Sequence, residues 1–373
     1  MLTVSFVLFV LYRYHSPQLA GGATFLLLFP GLLLSPIAGA LLDRYRRARL
    51  IALDYVVAAA TLLMLAGLSA RHALPPPLLL VICAISSLTG PLSAAGVRSL
   101  FPTVVPGHLW DRANALDSSI GVLASVIGAP LAGVLVGFAG GEWALAVTAL
   151  LFAGSGVAMI RVHDPAPKQR DRGILAEARS GLLYVFRNRT LTGLALTFFG
   201  FTAGWGCLVI AVPVLVLGRL HEGPAAVGYI WGATGVAGLV STLIMGRLNT
   251  RGRERQLMVG SMLAVAVAMS FLPQASSVLV VAAALVGVAL VETPFDIAFL
   301  TLRQRRTDPA RYGSVFAVSM SLNVLGGPVG SALAGPLIGW SLTWALWAAV
   351  GATLLAAAVP VFAIPARDER QTA

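Results

Sequence analysis

Residues 39–49 read GALLDRYRRAR, a short charged turn between two apolar runs. Residues 20–42 before it and 50–70 after it are each long enough to cross a hydrocarbon core of about 30 Å as helices. The stretch therefore predicts a helical hairpin in a bilayer, with its turn in water. Arg44, Arg46, Arg47 and Arg49 crowd that turn, and short basic loops stay on the cytoplasmic side during insertion. Asp43 sits among them. At the least, it offsets part of their charge.

Composition agrees with the hairpin. The 373-residue chain is 58% hydrophobic and 11% charged, whereas about a quarter of the residues of a soluble domain are charged. A formal charge of +11 would suggest a polyanionic partner if it covered one face. Instead, all of the 26 basic residues except Arg13, Arg71 and Arg219 fall in connecting segments assigned to the inside. So skewed a split is membrane topology, and nucleic acid is set aside as a partner. Cys83 and Cys207 lie within apolar spans and report no disulfide framework.

Further spans follow at residues 78–97, 115–137, 143–161, 190–217, 225–246, 257–272, 278–301, 314–338 and 342–364. The one long connection, 162–189, is expected to be a cytoplasmic linker with an amphipathic helix around 174–186. It separates a bundle over 1–161 from a second over 190–373 that ends in a short cytoplasmic tail. The halves repeat: GALLDRYRRARL at 39–50 aligns with GRLNTRGRERQL at 246–257, and SVIGAPLAG at 125–133 with NVLGGPVGS at 323–331. The offsets, 207 and 198, are nearly equal. Two similar bundles with a site at mid-depth are the architecture this implies.

The spacing of Gly39, Asp43, Arg44 and Arg47, with Gly246 and Arg251 in the second copy, resembles the loop between the second and third helices of the major facilitator superfamily. The stretches FPTVVPGHLWDRANALDSSIGVLASVIGAPLAG (101–133) and LRQRRTDPARYGSVFAVSMSLNVLGGPVGSALAG (302–335) look like its exporter branch, which includes enterobactin and macrolide efflux proteins. The resemblance implies an all-α membrane protein of major facilitator fold, with two pseudo-symmetric six-helix bundles. Residues 2–12 would make a helix of only about 17 Å, so against that family the first helix is incomplete. A misplaced start codon or a truncated chain is the expectation, and the genomic frame upstream of Met1 tests it.

Asp43 is then a candidate latch, a carboxylate accepting hydrogen bonds from a helix N-terminus in the other half, at Tyr312, Gly313 and Ser314. Such a contact is worth about 0.3–1 kcal/mol, up to roughly 2 when partly buried. Thr250 replaces the acid in the second copy, so the latch would be asymmetric. Gly121, Gly128, Pro130 and Gly133, with Gly327 and Pro328 in the counterpart, form small-residue stripes that allow close helix crossings. The same pattern resembles the fifth-helix signature of facilitator-type antiporters, with Gly128, Ala129 and Pro130 in place of an adjacent glycine and proline. That resemblance implies export driven by protons.

Residues 292–296 read ETPFD. Glu292 and Asp296, four apart, share a helical face, and an acid inside a membrane costs about 2.5–3.5 kcal/mol unless it faces a polar cavity. Proton or cation exchange is one reading. Pairing of Asp296 with Arg303 or Arg306 is the other. Trp205 and Trp231 are candidates for flat walls against an aromatic or lipophilic solute, and core or lipid-facing placement is the alternative. Asn323 is either a solute contact or a helix–helix hydrogen bond. Trp143, Trp340 and Trp344 read as interface anchors.

No enzyme is expected. His15, His72, His108, His163 and His221 lie in connecting segments without metal-ligand spacing, and no phosphate-binding glycine loop is present. No cofactor or metal is anticipated. The reading is a monomeric secondary transporter of the inner (plasma) membrane that exports a small amphipathic or lipophilic solute coupled to protons. Lipid translocation, or a non-transporting sensor or scaffold of the same fold, are the alternatives.

Overall fold

A computed structural model of the chain describes residues 1–162, 164, 183–245, 252–306 and 322–364, with the side chains of a few of these, Asp43 among them, left out. Its helices are α1 (Leu2–Tyr14), α2 (Pro17–Leu33), α3 (Ser35–Arg44), α4 (Arg47–Ala70), α5 (Pro76–Ser87), α6 (Gly90–Val104), α7 (Trp110–Ala139) and α8 (Gly141–Ile160). They continue with α9 (Arg189–Val214), α10 (Pro224–Met245), α11 (Glu254–Met269), α12 (Val278–Arg306), α13 (Gly326–Trp340) and α14 (Leu342–Ala363). Among the described residues, ten helical stretches are long and apolar enough to cross a membrane.

Two predicted spans are broken rather than continuous. The run over 20–42 stops at Leu34 and restarts at Ser35 with Pro36 in the first turn. Proline has no N–H for the carbonyl four residues back, and Ser35 Oγ donates to that Leu32 carbonyl instead, at 2.8 Å. The run over 78–97 is likewise divided into α5 and α6. The predicted linker lies almost wholly outside the described residues.

The chain divides into two compact units, Met1–Leu175 with Gly223–Tyr229, and Ala176–Glu222 with Ile230–Ala373. Within the first, α1 packs on α7 and α8, and α4 packs on α6 and α8. Within the second, α9 packs on α13 and α14, and α11 packs on α12 and α14. Matching α1 with α9 and α4 with α11 makes these one plan, used twice.

A repeated arginine carries the plan to the helix ends. Arg13, in the last turn of α1, donates from Nη2 to His72 Nδ1 at 3.0 Å. Arg219, closing the turn after α9, donates to the Pro273 carbonyl at 2.8 Å and to Thr343 Oγ1 at 2.6 Å. Two residues after each arginine the chain turns at a histidine in the left-handed region, His15 (φ 49°) and His221 (φ 54°). Trp143, Trp340 and Trp344 are all exposed, and the last two stack with centroids 6.3 Å apart.

Candidate functional site

The charged turn that opened the sequence joins α3 to α4. Arg44 is exposed, Arg47 is half-buried and begins α4, and Gly39 has open space where a Cβ would stand. Asp43 occupies the last turn of α3. Its side chain, Gly246 and Arg251 of the second motif copy, and the latch partner at 312–314 all lie outside the described residues. A different carboxylate does cap a helix here. Asp164 Oδ2, buried, accepts from the backbone N–H of Ala48 at 3.0 Å, in the first turn of α4, where the helix dipole favours an anion. The sequence reading passed over Asp164 because its position, 116 residues away, carries no local signal.

The small-residue stripes are helix crossings. A Cβ on Gly330 would overlap the Ala203 carbonyl, and one on Gly326 the Phe199 carbonyl and Thr202 Oγ1. Backbone therefore meets backbone between α9 and α13. Ser331 Oγ donates to the Gly206 carbonyl at 3.0 Å and Thr202 Oγ1 to the Asn323 carbonyl at 2.8 Å. Gly327 lies with its carbonyl against Gly206, and Pro328 is buried beside it. Asn323, fully buried, thus makes a helix–helix hydrogen bond through its backbone. In the first unit, Gly128 is pressed against Met1, and Gly133 against Pro224 and Gly228, with Pro130 half-buried between them. Gly121 is exposed, and a Cβ added there would meet open space.

The second unit also holds a column of aromatic rings. Phe198 and Phe299 lie 4.7 Å apart between centroids, Phe201 and Phe295 5.7 Å, Phe201 and Trp205 6.4 Å, and Trp205 and Trp231 meet edge to face at 5.5 Å. At the other end, the buried Arg303 guanidinium sits over the Phe299 ring, 5.0 Å from its centroid, a cation–π arrangement. The rungs pair 198 with 299 and 201 with 295, so α9 and α12 run antiparallel. Phe201, Phe295 and Phe299 are buried, at 3%, 0% and 1% exposure. Trp205 and Trp231 are only half-buried. The spacing of Phe198, Phe201 and Trp205, and of Phe295 and Phe299, was a legible helical stripe that the sequence reading did not join.

Glu292 and Asp296 stand on that same helix. At 100° per residue, Glu292, Phe295, Asp296 and Phe299 fall within about 100° of arc, so the acids share the face that packs on α9. Both are half-buried. Each of Trp205 and Glu292 lies one turn beyond the Phe201–Phe295 rung, in the same direction along antiparallel helices, which gives them matching height. Pro294 leaves the Leu290 carbonyl without its helical donor, and Ser241 Oγ of α10 supplies one at 2.7 Å. That bond fixes α10 to α12 beside the acids. Arg303 stands two turns from Asp296, about 10 Å along the axis.

A family model described as Major Facilitator Superfamily matches residues 1–331 and, a second time, residues 194–373. The chain belongs to the major facilitator superfamily. An MFS-type transporter of Sinorhizobium fredii, y4rN, is 37% identical over 98% of this chain and 91% of its own length. The multidrug efflux pump Tap of Mycobacterium tuberculosis is 27% identical over 76% of this chain and 67% of its own. The enterobactin exporter EntS of Escherichia coli is 25% identical over 86% and 76%. Among solved folds, the nucleoside transporter NupG superposes with a TM-score of 0.76 at 14% identity, covering 97% of this chain and 92% of that one. A bacterial homologue of the iron transporter ferroportin gives 0.72 at 17%, covering 96% and 97%. These neighbours share the fold. This facilitator-superfamily chain is thus a multi-pass membrane protein of a transporter family, with efflux pumps among its relatives.

Proposed function

We propose that this protein is a proton-coupled exporter of a small amphipathic or lipophilic solute, working by alternating access between the bundles 1–161 and 190–373 joined by the cytoplasmic linker 162–189. The observation that carries it is the α12 acid pair, half-buried in mid-span on the helix whose Phe295 ring packs on Phe201 of α9. Acids at such depth are costly and mark ion or solute pathways, and two on one face allow a proton to be held and released. Efflux pumps among the relatives support the outward direction. In this account the protein is a monomer in the inner membrane, the arginine-rich turn faces the cytoplasm, and Asp43 latches the bundles on that side. The small-residue crossings at Gly128, Gly133, Gly327 and Pro328 let helices slide without opening a leak.

Proteoliposomes test it. A solute flux that grows with an imposed pH gradient is the expected result, and Glu292→Gln, inserted in normal amount, should remove the gradient dependence while leaving the fold intact. Gradient-independent movement of lipids would favour the translocation reading, and no flux for any of a broad solute panel would favour a scaffold.

A further inference from the structure

Among the described residues, those other than glycine that hold a left-handed backbone are all histidines, His15, His72 and His221. His72 closes α4, at the end of that helix away from the arginine-rich turn. Its amide donates to the Ser69 carbonyl and that of Ala73 to the Leu68 carbonyl, each at 2.9 Å. These are the paired bonds of a Schellman terminus, whose left-handed position usually belongs to glycine and sometimes to asparagine. A histidine there forgoes the residue that suits the backbone best, so its side chain is what distinguishes the position. That side chain meets α1: Arg13 Nη2 donates to His72 Nδ1 at 3.0 Å, and the neighbouring Tyr14 hydroxyl donates to the Leu74 carbonyl at 2.7 Å. A guanidinium only donates, so Nδ1 carries a lone pair and the bonded ring is neutral, with its proton on Nε2.

Protonation removes this bond outright. An imidazolium has two N–H donors and no acceptor, and it would face Arg13 with Arg71 beside it in the chain. The other titratable groups at this end are Tyr12, Tyr14 and His15 of α1 and its cap, the buried Cys83 thiol on α5, and Glu142 in the first turn of α8, which accepts from Ser69 Oγ at 2.7 Å. The helix α2 carries no charged residue, and those of α3, α6 and α7 stand in the halves of these helices nearer the arginine-rich turn. We propose that the Arg13–His72 pair is a pH-sensitive strap between α1 and the α4–α5 loop, closed while His72 is neutral and opened by acid, with the Tyr14–Leu74 bond as its hinge. The second unit carries a fixed counterpart, because the acceptors of Arg219 are the Pro273 carbonyl and Thr343 Oγ1, and neither takes up a proton. On the transport reading, in which the arginine-rich turn is cytoplasmic, the strap faces outside and external acid frees the outer end of α1.

The test is thermal unfolding of the full chain in detergent at about pH 8 and about pH 5, the two sides of the range in which imidazole changes charge. At the higher pH, Arg13→Met should lower the midpoint by about 2 °C, the size of one lost hydrogen bond. At the lower pH it should cost nothing or raise the midpoint, because a repulsion is removed with the guanidinium. His72→Asn keeps an acceptor at the δ position, suits the left-handed backbone and does not titrate, so in that background Arg13→Met should cost the same at both pH values. Arg219→Met should likewise cost the same at both. Each value is a difference between two proteins at one pH, which cancels general destabilisation by acid. An Arg13→Met cost that does not change with pH, or a change that persists in the His72→Asn background, would overturn the proposal. If Arg13→Met does not fold, His72→Asn alone carries the test: it should lose less stability on acidification than the unmutated protein, and equal losses would overturn the strap. Melts read no flux, so a titrating strap in a protein that moves no solute would remove the transport reading and keep this one.

Discussion

The two units share a packing plan and differ in where they place polar atoms. In the second, the α9–α13 crossing is so close that hydroxyls of Thr202 and Ser331 bridge the backbones, and the neighbouring α12 carries two half-buried acids beside a ring column. In the first, the corresponding crossing of α1 on α7 brings Gly128 against Met1 without an equivalent hydroxyl bridge among the described residues. The buried acids described in that unit, Asp54 on α4 at 5% exposure and Asp164 at 7%, lie apart from that crossing, Asp164 capping the start of α4. Packing is what the duplication repeats.

The largest effect that sharpens this contrast is steric. Gly330→Val should cost about 3 kcal/mol or more, because overpacking a tight core typically costs 1–3 kcal/mol and here the added carbon overlaps a main-chain carbonyl. Thermal unfolding in detergent would show it, whereas Gly121→Val, in open space, should shift the midpoint little. Equal sensitivity of the two would break the comparison. Next come the arginines. Arg219→Ala removes two hydrogen bonds and Arg13→Ala one, so losses of about 2 and 1 kcal/mol are expected, read in the same melts. A greater loss for Arg13 would show that the repeat is not mechanically equivalent at its ends. The smallest is Asp164→Asn, which keeps shape but removes the charge at the α4 N-terminus. It should cost about 0.5–1 kcal/mol, measured as a lower midpoint that high salt does not restore.

Much of the fold was legible because membrane helices announce themselves by length and by the absence of charge. The spans, the duplication and the family could all be taken from GALLDRYRRAR, its copy at 246–257 and the glycine stripes. Breaks at Leu34 and after Ser87 were missed because Pro36 and Pro91 stand in uninterrupted apolar runs, where hydropathy does not register a lost hydrogen bond. The acids and indoles were found singly, since each is conspicuous in lipid. Their assembly was not, because a ring column joining α9, α10 and α12 is a matter of facing helices and no single span contains it. Asp164 and the Arg13–His72 contact belong to the same class, partners brought together across 116 and 59 residues.

The claim that matters most is that a proton and a solute meet at Glu292. It is tested most directly in weakly buffered proteoliposomes with a pH electrode, adding a transported solute with no gradient imposed. The account predicts that solute entry moves protons the opposite way in the unmutated protein, and that Glu292→Gln moves neither. Solute movement with no accompanying pH change, or proton movement undiminished in Glu292→Gln, would contradict it.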